Sequence, residues 1–295
     1  MSAARDITPE LLRELPLPRL GGDSDKDARG RVLVIGGGAE VPGAVLLAGI
    51  AALRAGAGKL QMAATPRFAD HLAMAAPEAR VLPAPADANG DLVVAAAETL
   101  AGSADRCDAV VVGPGMLDDT VAGALAAELI QRAPNPAFLL DAAAMTGLRD
   151  RADALKAAAG RLVLTPHGGE MAALMGCDKA EVQADPLGIA RRAAQQLGAV
   201  VALKGETTRI VSPDGHAVVY HDGPVGLATS GSGDVLAGVI GGLLARGAPP
   251  FAAAAWGVYL HGQAGVRLSQ SVGPLGFLAR EIAAEIPPIL AELCP

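Results

Sequence analysis

Residues 31–64 read RVLVIGGGAEVPGAVLLAGIAALRAGAGKLQMAA, and this stretch decides the fold. Arg31 to Ile35 is an aliphatic, β-branched run that stops at Gly36, Gly37 and Gly38, as a buried strand would. Pro42 to Ala55 is rich in Ala and Leu and reads as a helix closed by Gly56 and Gly58. Lys59 to Ala64 is a second strand. Strand, helix and strand in immediate succession predict a parallel pair joined by a crossover.

The alternation continues down the chain. Asp108 to Val112 is a strand ending in Gly113, Pro114 and Gly115, followed by a helix from Thr120 to Gln131. Ala137 to Leu140 ends at Asp141, and Arg161 to Leu164 ends in Thr165, Pro166 and His167. A short helix from Met171 to Met175 and a longer one from Ile189 to Leu197 lead to a strand from Val200 to Leu203, which ends in Lys204 and Gly205. Thr208 to Val211 and Ala217 to His221 flank the turn Ser212-Pro213-Asp214-Gly215 and predict a β-hairpin. Phe251 to Leu293 is mostly helical, broken near Gly273 and Pro274, and a polar lead-in with Asp23, Ser24, Asp25 and Lys26 precedes the first strand. This pattern predicts a doubly wound α/β fold: a mostly parallel sheet with helices on both faces, in a single domain over residues 1–295.

A strand, three glycines and a helix resemble a dinucleotide-binding turn. The spacing of Gly36, Gly37, Gly38 and Gly43 does not give Gly-x-Gly-x-x-Gly, however, and no acidic residue ends the second strand. Open α/β sheets bind ligands beyond the carboxyl ends of their strands, which is where Gly115, Asp141, His167 and Lys204 fall.

The chemistry is concentrated in residues 223–247, GPVGLATSGSGDVLAGVIGGLLARG. Thr229 to Gly233 are small and polar, and Val235, Leu236, Val239, Ile240, Leu243 and Leu244 follow at helical spacing, so a helix is expected to begin near Asp234. The first amides of a helix lack internal acceptors and carry the positive end of its dipole, so Gly231, Ser232 and Gly233 are a candidate anion hole. A carboxylate there repels the anion that the glycines invite, which gives Asp234 a second role: accepting the proton of a hydroxyl that receives a phosphoryl group. The plain alternative is an Asp cap behind a flexible loop. Against it, Gly238, Gly241 and Gly242 each cost the helix about 1 kcal/mol relative to Ala, which implies close packing against another backbone.

A net charge of −7 with no Lys/Arg cluster excludes a nucleic-acid or anionic-membrane surface, so the ligand is small. The 51% hydrophobic content with only 2% aromatic residues implies a core of Ala, Val, Leu and Ile. Cys107, Cys177 and Cys294 are odd in number and widely spaced, which argues for neither a disulfide framework nor a zinc site. The N-terminal MSAARDITPELLRELPLPRL lacks the apolar core of a signal peptide, and the uncharged run Ala248 to Val266 is broken by Pro249, Pro250, His261 and Gln263. A cytoplasmic protein is expected.

His167 and Glu170 flank Gly168-Gly169 at a strand end and are aimed at the crevice, or else form a helix start with a surface His. Lys204 begins Lys-Gly-Glu-Thr-Thr, which suits nucleotide contacts but equally a solvated strand end. Trp256, Tyr259 and His261 lie on an apolar helix and read as packing residues.

Six segments carry a family resemblance: GAVLLAGIAALRAGAGK (43–59), VVVGPG (110–115), LTPHGGEMAALMG (164–176), ALKGETTRI (202–210), GLATSGSGDVLAGVIGGLLARG (226–247) and AWGVYLHG (255–262). In this order they resemble the ADP-dependent NAD(P)H-hydrate dehydratases, a branch of the ribokinase-like superfamily, over roughly Lys26 to Pro288. The resemblance implies a repair reaction: phosphoryl transfer from ADP, or ATP in some members, to the ring hydroxyl of the S-epimer of hydrated NADH or NADPH. Loss of phosphate then regenerates the dihydronicotinamide and leaves AMP. It implies substrate contacts at Ala44, Gly115, His167 and Asp234, with Asp234 catalytic. Nucleotide contacts are implied at Lys204, Gly205, Glu206, Thr207, Thr208 and Gly233, with Mg2+ accompanying the nucleotide and oriented through water by Glu170. An NAD(P)H-hydrate epimerase is the implied functional partner. With no room for an epimerase domain before Arg31, the chain reads as a stand-alone dehydratase, and a homo-tetramer is the implied assembly.

Three positions depart from the family pattern. Gly168 replaces the Pro of His-Pro-Gly-Glu, Ala143 replaces the second Asp of Asp-Ala-Asp-Ala-Leu, and Gly223-Pro224-Val225-Gly226 lacks the Asn of Gly-Asn-Pro-Gly. Two other functions fit the anion loop: a kinase of a small vitamin-precursor alcohol, and a nucleotide-binding regulator without turnover, which the loss at Ala143 favours.

Overall fold

The computed structural model describes residues 4–18 and 25–294. The lead-in residues Asp23 and Ser24 lie outside the described residues. The chain runs through β1 (Arg5–Asp6), α1 (Pro9–Glu14), β2 (Arg31–Ile35), α2 (Ala44–Arg54), β3 (Lys59–Ala64), α3 (Pro66–Ala75), β4 (Ala79–Pro83) and α4 (Ala96–Ala104). It continues with β5 (Ala109–Val112), α5 (Asp119–Arg132), β6 (Ala137–Leu140), α6 (Ala143–Thr146), α7 (Ala152–Leu155), β7 (Leu162–Leu164), α8 (Gly168–Met175), α9 (Lys179–Ala184) and α10 (Pro186–Leu197). It closes with β8 (Val200–Leu203), β9 (Thr208–Val211), β10 (Ala217–Tyr220), α11 (Ser232–Ala245), α12 (Pro250–Ser271) and α13 (Ala279–Leu293).

Among the described residues the strands form one sheet in the order β1-β10-β9-β8-β7-β6-β5-β2-β3-β4. It is parallel except where β9 pairs with β8 and with β10, the hairpin expected from Ser212 to Gly215. Side chains alternate between two cores: Val32 and Val34 pack under α2, α11 and α12, while Leu33 and Ile35 pack under α4 and α5. Both faces of the sheet are therefore covered, which explains why β5, β6, β7 and β8 are apolar at every position.

The chain moves outward from β2 to β3 and β4, then returns to place β5 on the other side of β2. That reversal opens a crevice between the carboxyl ends of β2 and β5, and both strands end there in glycine loops. The loops are tied together, the Gly37 amide donating to Pro114 O at 2.8 Å and the Gly38 amide to Gly115 O at 3.0 Å.

Helix α11 lies under this crevice against α2. A Cβ on Gly238 would stand 2.1 Å from Ala48 O, and one on Gly242 would stand 2.4 Å from Ala52 O. The glycines inside the helix thus allow the backbone contact that the sequence implied.

Several boundaries differ from the sequence reading for local reasons. The helix expected near Asp234 begins at Ser232, because Gly231 turns the chain into it at φ +85°. The one expected from Met171 begins at Gly168, and that expected from Ile189 begins at Pro186, where the Asp185 side chain caps it. Residues 66–104, to which the sequence reading assigned no element, hold α3, β4 and α4; β4 is an edge strand with mostly half-exposed residues, so it has no all-apolar run to reveal it. None of the described helices is long and apolar enough to cross a membrane.

Candidate active site

Gly231 is the N-cap of α11, in a left-handed conformation that glycine adopts without strain. Ser232, Gly233 and Asp234 are then the first three residues of a 14-residue helix. The Ser232 amide turns back to Thr229 O at 3.2 Å and the Val235 amide to Gly231 O at 3.1 Å. The anion hole expected at Gly231, Ser232 and Gly233 is thereby corrected at Ser232, whose amide is spent on this turn; the amides of Gly233 and Asp234 have no acceptor among the described residues. Two unsatisfied donors at the positive end of a helix dipole are able to hold an anion.

A cation stands beside it. A Cβ on Gly233 would lie 3.6 Å from Nζ of Lys204, which extends from the end of β8. Lys204 Nζ is 3.0 Å from Asp141 Oδ1 and 3.8 Å from Glu170 Oε2. Asp141 is buried, and the Thr165 hydroxyl donates to its Oδ1 at 2.7 Å. Burial works against the ammonium, but Asp141, then Glu170 and Asp234, outweigh it and hold its pKa above the ordinary lysine value. Asp234 responds oppositely: burial first, then the Asp141 charge, push its pKa up to about 7, and Lys204 only partly offsets them. A carboxylate that exchanges its proton near neutrality is suited to general base chemistry.

The backbone supporting Asp141 is strained. Ala142, which follows it, has φ 49° and ψ −133°, the only positive φ among the described non-glycine residues. Such strain clusters where surrounding structure must fix a functional group.

Of the other expected site residues, Ala44, Gly115, His167 and Glu170 fall around this centre, while Gly205 to Thr208 follow Lys204 along the chain. Ala44 opens α2 and is buried, and a Cβ on Gly115 would lie 2.8 Å from its Cβ, so these two residues share one wall. A cavity of about 450 Å³ runs from Ala44 past Ser230, Gly231 and Asp234 towards Arg280. His167 pairs as an isolated bridge with Lys204 at the ends of β7 and β8. Its Nδ1 accepts from the amides of Gly169 and Glu170 at 3.0 and 3.1 Å, while Glu170 Oε2 accepts from the His167 amide at 2.7 Å. These two side chains thus form the capping box of α8, and the imidazole is largely exposed. Gly205 and Glu206 are exposed on the β8–β9 connection, Thr207 Oγ1 lies 3.1 Å from His221 Nδ1, and Thr208 opens β9.

Sequence reasoning left Thr165 without a role and read His261 as packing. His261 is buried on α12, with Nε2 3.0 Å from both Oγ and O of Ser232. A histidine within an apolar helix requires a buried partner, and that requirement was the available signal.

A family model described as NAD(P)H-hydrate dehydratase matches residues 32–288. The chain is 47% identical over 290 residues to the ADP-dependent (S)-NAD(P)H-hydrate dehydratase of Xanthomonas campestris, covering 98% of this chain and 97% of that protein. It is 40% identical over 278 residues to the bifunctional NAD(P)H-hydrate repair enzyme of Moorella thermoacetica, of which it spans 52%. Its fold is similar to that of the ADP/ATP-dependent NAD(P)H-hydrate dehydratase of Bacillus subtilis co-crystallized with ATP/Mg2+. That similarity has a TM-score of 0.79 at 27% identity and covers 98% of this chain and 99% of the other.

Proposed function

We infer what the site does from the family to which this chain belongs, the NAD(P)H-hydrate dehydratases of ribokinase-like fold. The chain is an ADP-dependent dehydratase of the S-epimer of NADH or NADPH hydrate. The observation that carries the reaction into this site is the pairing of free Gly233 and Asp234 amides with an Asp234 carboxyl titrating near 7.

The hydrate's ring hydroxyl attacks the terminal phosphorus of ADP. The bond from that phosphorus to the bridging oxygen breaks, and AMP leaves with the electron pair. Asp234 takes the hydroxyl proton, while the Gly233 and Asp234 amides and the Lys204 ammonium hold the charge on the transferring oxygens. In the second stage the ring carbon–oxygen bond breaks and phosphate departs. Loss of the proton gained on hydration restores the dihydronicotinamide. Substrate contacts at Ala44, Gly115 and His167 fit the wall and strand end on which these residues lie, and nucleotide contacts at Lys204 to Thr208 fit the β8–β9 connection.

Among the described residues no three His, Cys, Asp or Glu side chains are grouped to hold a metal ion. That suits Mg2+ carried on the nucleotide phosphates, where Glu170 would orient it through water and the ion would neutralise phosphate charge. A homo-oligomer in the cytoplasm, supplied with the S-epimer by an epimerase, completes the proposal.

The test is incubation of hydrated NADH with the chain and ADP or ATP. Recovery of dihydronicotinamide absorbance, with one AMP and one phosphate per turnover on ADP, is expected. A phosphorylated alcohol without recovered NADH would identify a kinase instead, and nucleotide binding without phosphate release a silent regulator.

A further inference from the structure

We propose that His261 is a positioning residue for the phosphoryl-holding amides, acting through Ser232; this rests on the dehydratase reading above. His261 Nε2 lies 3.0 Å from the Ser232 carbonyl oxygen and 3.0 Å from its hydroxyl oxygen. A carbonyl only accepts, so Nε2 carries the proton and donates to both oxygens. Burial pulls the ring's pKa down to about 4, so the imidazole is neutral at working pH and presents this one N–H.

The geometry makes Ser232 a fixed corner. Its amide is bound by Thr229 O, and its carbonyl and hydroxyl are held by a ring on α12, a different helix. The Ser232 carbonyl and the Gly233 amide belong to one planar peptide group and the Asp234 amide to the next, and both amides are without an acceptor among the described residues. Gly231 before the corner and Gly233 after it are flexible in isolation, so their directions depend on what holds Ser232. Donors fixed in advance stabilise a transferring group without reorganising, and displacing one typically lowers turnover by about 100-fold or more. His261 acts through Ser232 and not by touching substrate or nucleotide. It keeps the anion hole in register with Lys204 and Asp234.

The experiment compares His261→Phe, which fills the volume without an N–H, with His261→Gln, whose amide restores a donor. ADP affinity by calorimetry, kcat, KM for hydrated NADH and melting temperature are measured for each. In the Phe variant kcat is expected to fall at least tenfold and ADP affinity to weaken, with KM for the hydrate within about twofold of the parent. The Gln variant is expected to recover most of the loss. A Phe variant with parental kcat and ADP affinity overturns the proposal, as does a folded Gln variant as impaired as Phe. If the Phe variant does not fold, the Gln variant decides: near-parental kcat supports the role and a folded, inactive protein overturns it. Failure of the parent chain to restore NADH would instead overturn the dehydratase reading, and the ADP affinities would still report on the His261 bond.

Discussion

Lys204 Nζ lies 3.0 Å from Asp141 Oδ1, although the two residues end strands β8 and β6, which are separated by β7. Two strand spacings are about 10 Å, so only a long side chain reaches across. The Thr165 hydroxyl, just beyond the end of β7, donates to the same carboxylate oxygen, and three strand ends are thereby joined at one point.

Removing the ammonium leaves Asp141 buried without its counter-charge. Lys204→Met is expected to destabilise the protein by about 3 kcal/mol, and Lys204→Met with Asp141→Asn to regain more than half of that. Urea unfolding of the single and double variants measures both, and additive losses would show that the two groups do not interact.

Asp234→Asn keeps the shape of the side chain but removes the basic oxygen. Turnover is expected to fall by about 100-fold to 10,000-fold while ADP affinity is unchanged or improves. In the parent, kcat/KM for the hydrate should rise with pH through an apparent pKa near 7 and level off above it. The folded pKa lies above the ordinary 3.8, so the native state holds the proton more tightly, and stability from this group declines as pH rises from about 4 to 7. The Asn variant should lack that decline and melt higher than the parent at pH 8. A variant with parental turnover would remove Asp234 from the mechanism.

Ala142 holds a conformation, φ 49° with ψ −133°, in which its Cβ is crowded. Ala142→Gly should relieve this and stabilise the fold by about 1 kcal/mol, after allowance for glycine's freedom when unfolded. Calorimetry should register a melting temperature higher by about 2 °C. A lower melting temperature would show that the methyl group's contacts outweigh the strain.

Two glycines should behave oppositely. Gly168 is the first residue of α8, and a Cβ there meets nothing within 4 Å, so Gly168→Pro should raise stability by about 1 kcal/mol. Gly238→Ala drives a methyl group against Ala48 O and should cost about 2–3 kcal/mol by parting α11 from α2. Thermal melts of both variants check the contrast, and equal shifts would show that the α2–α11 contact yields easily.

The all-apolar strands, the glycine loops after β2 and β5, the hairpin at Ser212 to Gly215 and the amphipathic start of α11 were legible because each is encoded within a few neighbouring residues. β4 was not, because an edge strand is half-solvated and has no apolar run. The His167–Glu170 capping box was visible as a spacing, but whether those side chains served the crevice or the helix start was not; in the structure both make the cap.

The sequence by itself determined the doubly wound fold, the family and the residues that gather at the carboxyl ends of the strands. It could not assign partners across the fold. Asp141 meets Lys204 over 63 residues and Ser232 meets His261 over 29, and both pairings depend on which elements the sheet and helix packing bring together. For the same reason only the tertiary structure decided the Asp234 pKa: a carboxylate's proton affinity follows from its burial and from charges contributed by distant strands, and no local run of residues encodes either.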